Sequence, residues 1–313
     1  MNFFTKISTL LFIFIFTEGF SQFKTVYDDS DGSTVYIPLG KISFADEIIS
    51  FKLGTPRPFK KFRDSSQALH EPNYKRYEDP DFVSSGCGGE IVLKFTNNGF
   101  MNLKGDDLYI FEVGPSKEPS LIEISTDGEY WIFAGETQGG KSSIDLEKAD
   151  VDDKTIFHYI KITDLRSVCH SKTAGVDIDA VAAINSVIKL DIAADVLFDV
   201  AQFNLKETAT KTLDSVASIL KQVPKATILI EGHTDSDGDD TSNVTLSNNR
   251  CNSVMNRLQE ATEDSKRFNF EIKAYGESKP RVPNTNKANK QLNRRVEIIV
   301  LPPQDYYDGL KNN

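Results

Sequence analysis

The hydrophobic period of the chain changes near residue 190, and no single-class fold accommodates both halves. Before that point, short runs rich in β-branched and aromatic residues recur at 34–37, 91–95, 108–113, 121–125, 131–134 and 157–163. Turn chemistry such as Asn97-Asn98-Gly99 and Asp127-Gly128 separates them. With no amphipathic helix between them, they predict an all-β sandwich or barrel. Beyond it, Leu205, Ala209, Leu213, Val216, Ala217 and Leu220 recur at helical spacing until Pro224 forbids continuation. This predicts a helix over 206–222, between a short strand at 196–198 and a second at 226–231. Val244, Cys251, Val254, Met255 and Leu258 mark a second helix, and 268–275 and 296–301 two further strands. The order βαβαββ implies an α/β sandwich with its helices on one face. A chain of 313 residues is long enough for both cores.

Charge narrows the partners. The net charge is -10, and the first 190 residues carry 28 acidic against 20 basic side chains. No broad phosphate-tracking surface is expected, which argues against nucleic acid. The first residues combine Lys6, an apolar run over 7–16, and Gly19 and Ser21 ahead of Gln22. This is the pattern of a secretory signal peptide over 1–21. The apolar run is half the length of a membrane span and no other stretch reaches ~18 apolar residues, so the mature chain is expected to hold no transmembrane helix. The expected organisation is therefore a signal peptide over 1–21, an all-β module over 22–187, an α/β domain over 191–302 and a tail over 303–313.

A transmembrane barrel competes for the first module. Lipid-facing strands need about ten residues of sustained alternation, whereas 91–95 and 108–113 are short and followed by charged loops. A full match to GxxxxGK[ST] spans 135–142. A phosphate loop requires a helix opening at Lys141, and 143–153 lacks a 3.6-residue apolar stripe, so the stretch reads as a glycine-rich β-turn.

Four stretches carry a resemblance: GCGGEIVLKF (86–95), GDDLYIFEVG (105–114), EPSLIEISTDGEYW (118–131) and GVDIDAV (175–181). Together they resemble a discoidin-like or lectin-like jelly-roll sandwich of bacterial surface proteins, spanning roughly 40–185. That resemblance implies a fold more firmly than a function, with a glycan or an envelope protein as the module's partner. Cys87 and Cys169 lie near the two ends of this stretch and suffice for one disulfide in an oxidising compartment, two buried thiols being the alternative. Composition and resemblance together suggest a Ca²⁺ site among Asp106, Asp107, Glu112, Asp177 and Asp179, against ordinary turn and surface carboxylates. No other cofactor is implied.

In the second half the informative residues lie where the second strand runs into the second helix. Asp235 precedes Arg250 by fifteen residues. A carboxylate in that loop and a guanidinium about two turns into the helix can face one cleft. The pair suits a zwitterion: Asp235 accepts from an ammonium and Arg250 grips a carboxylate through its fork. LFDV (197–200), EGHTDSDG (231–238), LSNNRCNSV (246–254), YGESKP (275–280) and NRRVEI (293–298) together resemble the OmpA-like peptidoglycan-binding domain. The resemblance implies non-catalytic binding of diaminopimelate in the stem peptide of peptidoglycan, in the periplasm or at the outer membrane. Asp235 and Arg250 match the family's gripping pair; Asn243 and Arg294 match secondary contacts. Ala201 and Cys251 depart from the pattern.

The remaining motifs fail on spacing. Asp235-x-Asp237-x-Asp239 resembles the start of an EF-hand, but Asp240 and Leu246 stand where Gly and Glu are required. His233 has no second His or Cys at ligand spacing and reads as structural. Cys251 falls on the apolar stripe of its helix. No GxSxG, HExxH or Cys/His arrangement is present, and scattered carboxylates define no glycosidase pair. The chain therefore reads as a non-catalytic envelope protein, with a porin-like protein bearing a wall-binding tail and a wall or glycan hydrolase as alternatives.

Overall fold

The computed structural model describes residues 23–114, 118–138, 142–167, 169–263 and 266–310. The segment 1–21 expected as a signal peptide and residues 139–141 of the GxxxxGKS stretch lie outside them. The chain opens with β1 (Val26–Asp28), β2 (Thr34–Tyr36), β3 (Glu47–Lys52), β4 (Val83–Ser84), β5 (Glu90–Lys94), β6 (Gly99–Phe100), β7 (Leu108–Glu112) and β8 (Ser120–Ser125). There follow β9 (Ile132–Thr137), β10 (Ser143–Ile144), β11 (Tyr159–Asp164), β12 (Asp177–Ala183) and β13 (Ser186–Ala193). The second half runs through α1 (Ala194–Leu197), α2 (Ala209–Leu220), β14 (Ala226–His233), α3 (Asp240–Thr262) and β15 (Phe268–Gly276). It ends with α4 (Lys287–Asn293), β16 (Arg295–Leu301) and α5 (Gln304–Gly309).

The first half folds into two antiparallel sheets, ordered β10-β7-β12-β4 and β3-β5-β11-β8-β9. Alternating residues such as Ile91 and Leu93, Ile122 and Ile124, and Ile160 and Ile162 face inward from the second sheet. They meet Ile110, Ile178 and Val181 of the first sheet in one core. β7 and β12 are buried along their whole length. The reason is a third layer, in which Tyr27 and Ile37 beside the β1–β2 hairpin cover Tyr109, Phe111, Ala180 and Ala182. Continuous apolar runs like LYIF and AVAA suit strands covered on both faces. The strands of this module are two to seven residues long and form separate sheets.

β9 runs through Gly135 and Thr137, with Gly135 opposite Ile122 and the Thr137 hydroxyl bonded to Ser120. The first half of the GxxxxGKS stretch is therefore strand, where a phosphate loop would require a turn. The strand occupies 135–137 of the stretch read as a glycine-rich turn, whose Gly139 and Gly140 lie outside the described residues.

The second half is a mixed sheet, β15-β14-β16-β13, with α2 and α3 packed against it. β14 and β15 run parallel and the other pairs antiparallel. The strand expected at 196–198 is instead the end of the short helix α1 followed by extended Phe198. The sheet takes β13 in its place, and the amide of Ala194 turns the chain into α1 by bonding the carbonyl of Arg294. α2 is shorter than the expected 206–222, running Ala209–Leu220 with Lys221 as its C-cap ahead of Pro224. α4 carries no expected counterpart.

The boundary expected between 187 and 191 falls inside β13. Ser186 and Val187 pair with β6 of the first module, and 188–193 pair with β16. One strand thus serves both halves. The expected tail also docks: Tyr307 of α5 donates to Asn185 Oδ1 at 3.0 Å, and the ring of Tyr306 lies 5.7 Å from that of Tyr36. Among the described residues no helix is long and apolar enough to cross a membrane.

Candidate functional site

β14 enters the site through Gly232, where a Cβ would stand 2.6 Å from Cys251 Sγ and 2.7 Å from the carbonyl oxygen of Ser247. Only glycine lets α3 lie this close to the strand end. The loop 234–239 then begins α3 with Asp239, whose carboxylate accepts from the amide and hydroxyl of Ser242 at 2.9 and 2.6 Å. Asp239 is the N-cap. Asp235 is released from that duty and lines a cleft of about 640 Å³.

Four elements wall this cleft: the α1 region with Phe198 and Ala201, the β14–α3 loop, α3 through Asn243 and Arg250, and α4 through Lys290 and Arg294. The structure brings together all four residues expected to bind ligand here. Asp235 is buried; one of its oxygens pairs with Arg294 and the other accepts from the amide of Asp237 at 3.1 Å. Arg250 is buried, with its guanidinium 5.2 Å from the ring centre of Phe198 and its Nε donating to the carbonyl of Gln202 at 2.9 Å. Its two terminal nitrogens make no hydrogen bond among the described residues. Burial, then the nearby Arg294, lower its pKa from the usual value, partly offset by Asp235.

Asn243 ties the walls together, since its Nδ2 donates to the carbonyl of Asp235 at 3.3 Å and to Glu277 Oε2 at 2.6 Å. It is a positioning group. At the rim Lys290 pairs with Asp237. Charge in the cleft is balanced: Asp195, Asp199, Asp235 and Asp237 face Arg250, Lys287, Lys290 and Arg294. Such a cleft has acceptors for an ammonium and donors for a carboxylate.

Sequence reasoning missed Phe198, Gln202, Glu277 and Lys290. Lys290 stands four residues before Arg294, a helical spacing that the short, polar KANKQLN stretch conceals. Phe198 was legible as a motif residue, but reading it as strand hid its place beneath Arg250.

The five carboxylates expected to hold Ca²⁺ do not gather as that expectation requires. Asp107 accepts from the amides of Leu103 at 3.0 Å and Leu146 at 2.7 Å, and from Asn185 at 2.6 Å. Asp179 accepts from the amides of Asn73 and Tyr74. These two anchor loops. Asp106, beside Asp107, precedes β7 and Glu112 ends it, roughly 20 Å further along an extended strand, too far to share one ion. Glu112 and Asp177 instead lie at the disulfide end of the sandwich with Glu118 and Asp164, all four buried. Burial raises the carboxyls of Glu112, Glu118 and Asp177 well above the ordinary range. Cys87 and Cys169 form a disulfide closing this end.

Among the described residues, Glu231, His233 and Glu297 hold donor atoms within 4.8 Å of one another. Burial raises the cost of ionising Glu297, yet Lys189 and Arg295 hold it down to about 2, and Arg281 bonds it as well. Three cations already occupy that carboxylate, so the trio is a poor metal site. His233 stacks on Tyr275, and burial lowers it to about 4. Cys251 is buried and its thiol is pushed up to about 12 by burial, which makes it inert packing.

Residues 197–294 match the model of the OmpA family. The chain is 27% identical over 270 residues to "Outer membrane porin F" of Pseudomonas aeruginosa, covering 83% of this chain and 73% of that protein. It is 36% identical over 109 residues to "Outer-membrane lipoprotein YfiB" of the same species, covering 35% of this chain and 64% of the relative, just under two thirds of its length. The solved cell wall anchor of the T6SS from Pseudomonas aeruginosa is 29% identical, with a TM-score of 0.33 over 39% of this chain and 85% of that one. The second half of the molecule thus holds an OmpA family domain at 197–294.

Proposed function

We propose, from the OmpA family domain at 197–294, that this chain is a non-catalytic envelope protein gripping diaminopimelate in the stem peptide of peptidoglycan. In this reading Arg250 holds the ligand's carboxylate with its two unengaged terminal nitrogens. Asp235, with Arg294 beside it, receives the ammonium. The observation that carries it is the buried Arg250, whose two terminal nitrogens have no partner among the described residues in a cleft of balanced charge. A guanidinium buried in this way is ready for bidentate recognition. The chain is exported by its N-terminal signal and resides in the periplasm or at the outer membrane. The sandwich, of lectin-like type, reaches a glycan or an envelope protein.

Pelleting with purified sacculi tests the reading. Wild type co-sediments and free diaminopimelate releases it. Asp235→Ala and Arg250→Ala each weaken binding by ~2 to 5 kcal/mol, because either strands a ligand charge. Variants that both pellet like wild type would falsify the assignment.

The match to porin F over 83% of the chain favours a second reading, a porin with a wall-binding tail. First-module strands of two to seven residues weigh against it, since a lipid-facing barrel needs nine to eleven. Heat-dependent mobility in detergent gels would favour the porin.

A further inference from the structure

Around the disulfide the chain is packed unusually close. Gly88 has φ +73°, and a Cβ on it would stand 2.6 Å from the guanidinium of Arg166. Gly175 has φ +84°, with a Cβ position 2.2 Å from the carbonyl oxygen of Gly86. These glycines bring the ends of β4, β11 and β12 together. The amide of Gly88 donates to Asp164 Oδ2 at 2.6 Å, and that of Arg166 to the same oxygen at 2.9 Å. The other oxygen of Asp164, Oδ1, is buried without a hydrogen-bond partner among the described residues. Asp177 Oδ1 and Glu118 Oε2 are in the same condition.

A fourth oxygen is independent of the acids. Ser84 is fully buried and directly opposite Asp177 in the β4–β12 register, so both side chains project from the same face of the sheet. Its hydroxyl faces the Asp177 carboxyl and has no other polar partner among the described residues. A buried oxygen without a donor costs roughly 1–3 kcal/mol and is rare in folded proteins. Among the described residues no basic side chain bonds any of these oxygens, which together form an acceptor-rich site. Glu118 and Asp177 line one cavity of about 670 Å³ with Tyr74, Tyr77 and Thr173, which gives solvent access from outside.

We propose that this end of the sandwich binds a divalent, oxygen-seeking cation, Ca²⁺, through Glu118, Asp164, Asp177 and the hydroxyl of Ser84. All four donors are oxygens, and Ca²⁺ accepts six to eight of them in irregular geometry, with water completing the shell. Zn²⁺ fits poorly, because Cys87 and Cys169 are consumed in the disulfide and no histidine lines the cavity. The acid oxygens are not gathered within 4.8 Å of one another, so the ion draws them inward. Its binding therefore tightens the wall formed by Ser171 and Thr173, which the Cys87–Cys169 bridge tethers to Gly88.

The test uses the full chain and Tb³⁺ as a luminescent stand-in for Ca²⁺, excited through tyrosine, since Tyr74 and Tyr77 line the cavity. Expected are saturable Tb³⁺ emission, its displacement by Ca²⁺ and a rise in Tm with Ca²⁺. Asp177→Asn and Glu118→Gln should each abolish the Ca²⁺-dependent rise while leaving Tm in chelator unchanged or higher, since each replaces a carboxyl whose ionisation burial already opposes. Ser84→Ala keeps every charge and should weaken Ca²⁺ severalfold with Tm in chelator held. A wild-type chain without a Ca²⁺-dependent Tm shift overturns the proposal. So does an Asp177→Asn chain that folds and keeps the full shift.

Discussion

In the C-terminal cleft four acids face four bases, and the two terminal nitrogens of the buried Arg250 make no hydrogen bond among the described residues. At the disulfide end of the sandwich, Glu112, Glu118, Asp164 and Asp177 are buried together and no ion pair joins them to a base among the described residues. The first arrangement has its own counter-charges and stays receptive to a ligand carrying both signs. The second has amide and hydroxyl donors but no basic side chain bonded to it among the described residues, so the charge it lacks is positive. Two sites of similar volume in one chain thus differ in the ligand they select, because charge balance sets selectivity more than cavity size does.

Breaking the covalent restraint should separate the two regions most. Replacing Cys87 and Cys169 by Ser reopens a loop of 82 residues and should cost about 4.5 kcal/mol by chain entropy. Denaturant melts read by hydrogen exchange should show the loss at β4, β11 and β12, with β14 and α3 protected as before. Equal loss in both halves would mean that β13 couples them into one unit.

Acid should move the two halves in opposite directions. His233 has a folded pKa of about 4 against an unfolded 6.5, set by burial and then by Arg295. The unfolded state therefore binds more protons between those values, and the α/β domain loses about 3 kcal/mol as pH falls through that window. Asp107 is raised by burial to about 6 from 3.8. Its folded state binds more protons in that range, so the sandwich gains about 3 kcal/mol as pH falls from about 6 to about 4. Exchange protection of β14 and β7 amides at pH 6.5 and 4.5 checks both signs, and Asp107→Asn should flatten the second slope.

Arg250→Lys sharpens what the cleft recognises. It keeps the charge and loses the fork, so sacculus affinity should fall by roughly 1.5–3 kcal/mol. An undiminished affinity would mean that the cleft reads charge alone. The smallest effect is expected at Ala201, which sits at φ 58° on the wall of the cleft. Ala201→Gly should stabilise the α/β domain by about 0.5–1 kcal/mol, measured by its melt, without altering Ca²⁺ dependence in the sandwich.

Much of this architecture was legible in the residues. Ile91, Leu93, Ile160 and Ile162 alternate as half-buried strands must, and Leu213, Val216, Ala217 and Leu220 form the stripe that α2 buries. β13 was hidden because the boundary was drawn through it. α4 was hidden because its seven residues, five of them polar, carry no stripe, and the helix persists through the Asn286 cap and its packing. In the site, Asp235 and Arg250 were readable from motif and spacing. Glu118 and Asp164 were not, since they are 46 residues apart and only the β8–β11 pairing brings their segments together.

Local chemistry therefore settled the periods, the turns and the pairing of an acid with a base fifteen residues on. All of these act over a few ångströms along the chain. Tertiary structure alone decided that β13 joins both halves, that α5 folds back onto Asn185, and that buried acids from distant strands share one cavity. Side chains far apart in sequence meet only after backbone pairing has fixed the register, and the free energy of a buried charge depends on what meets it there.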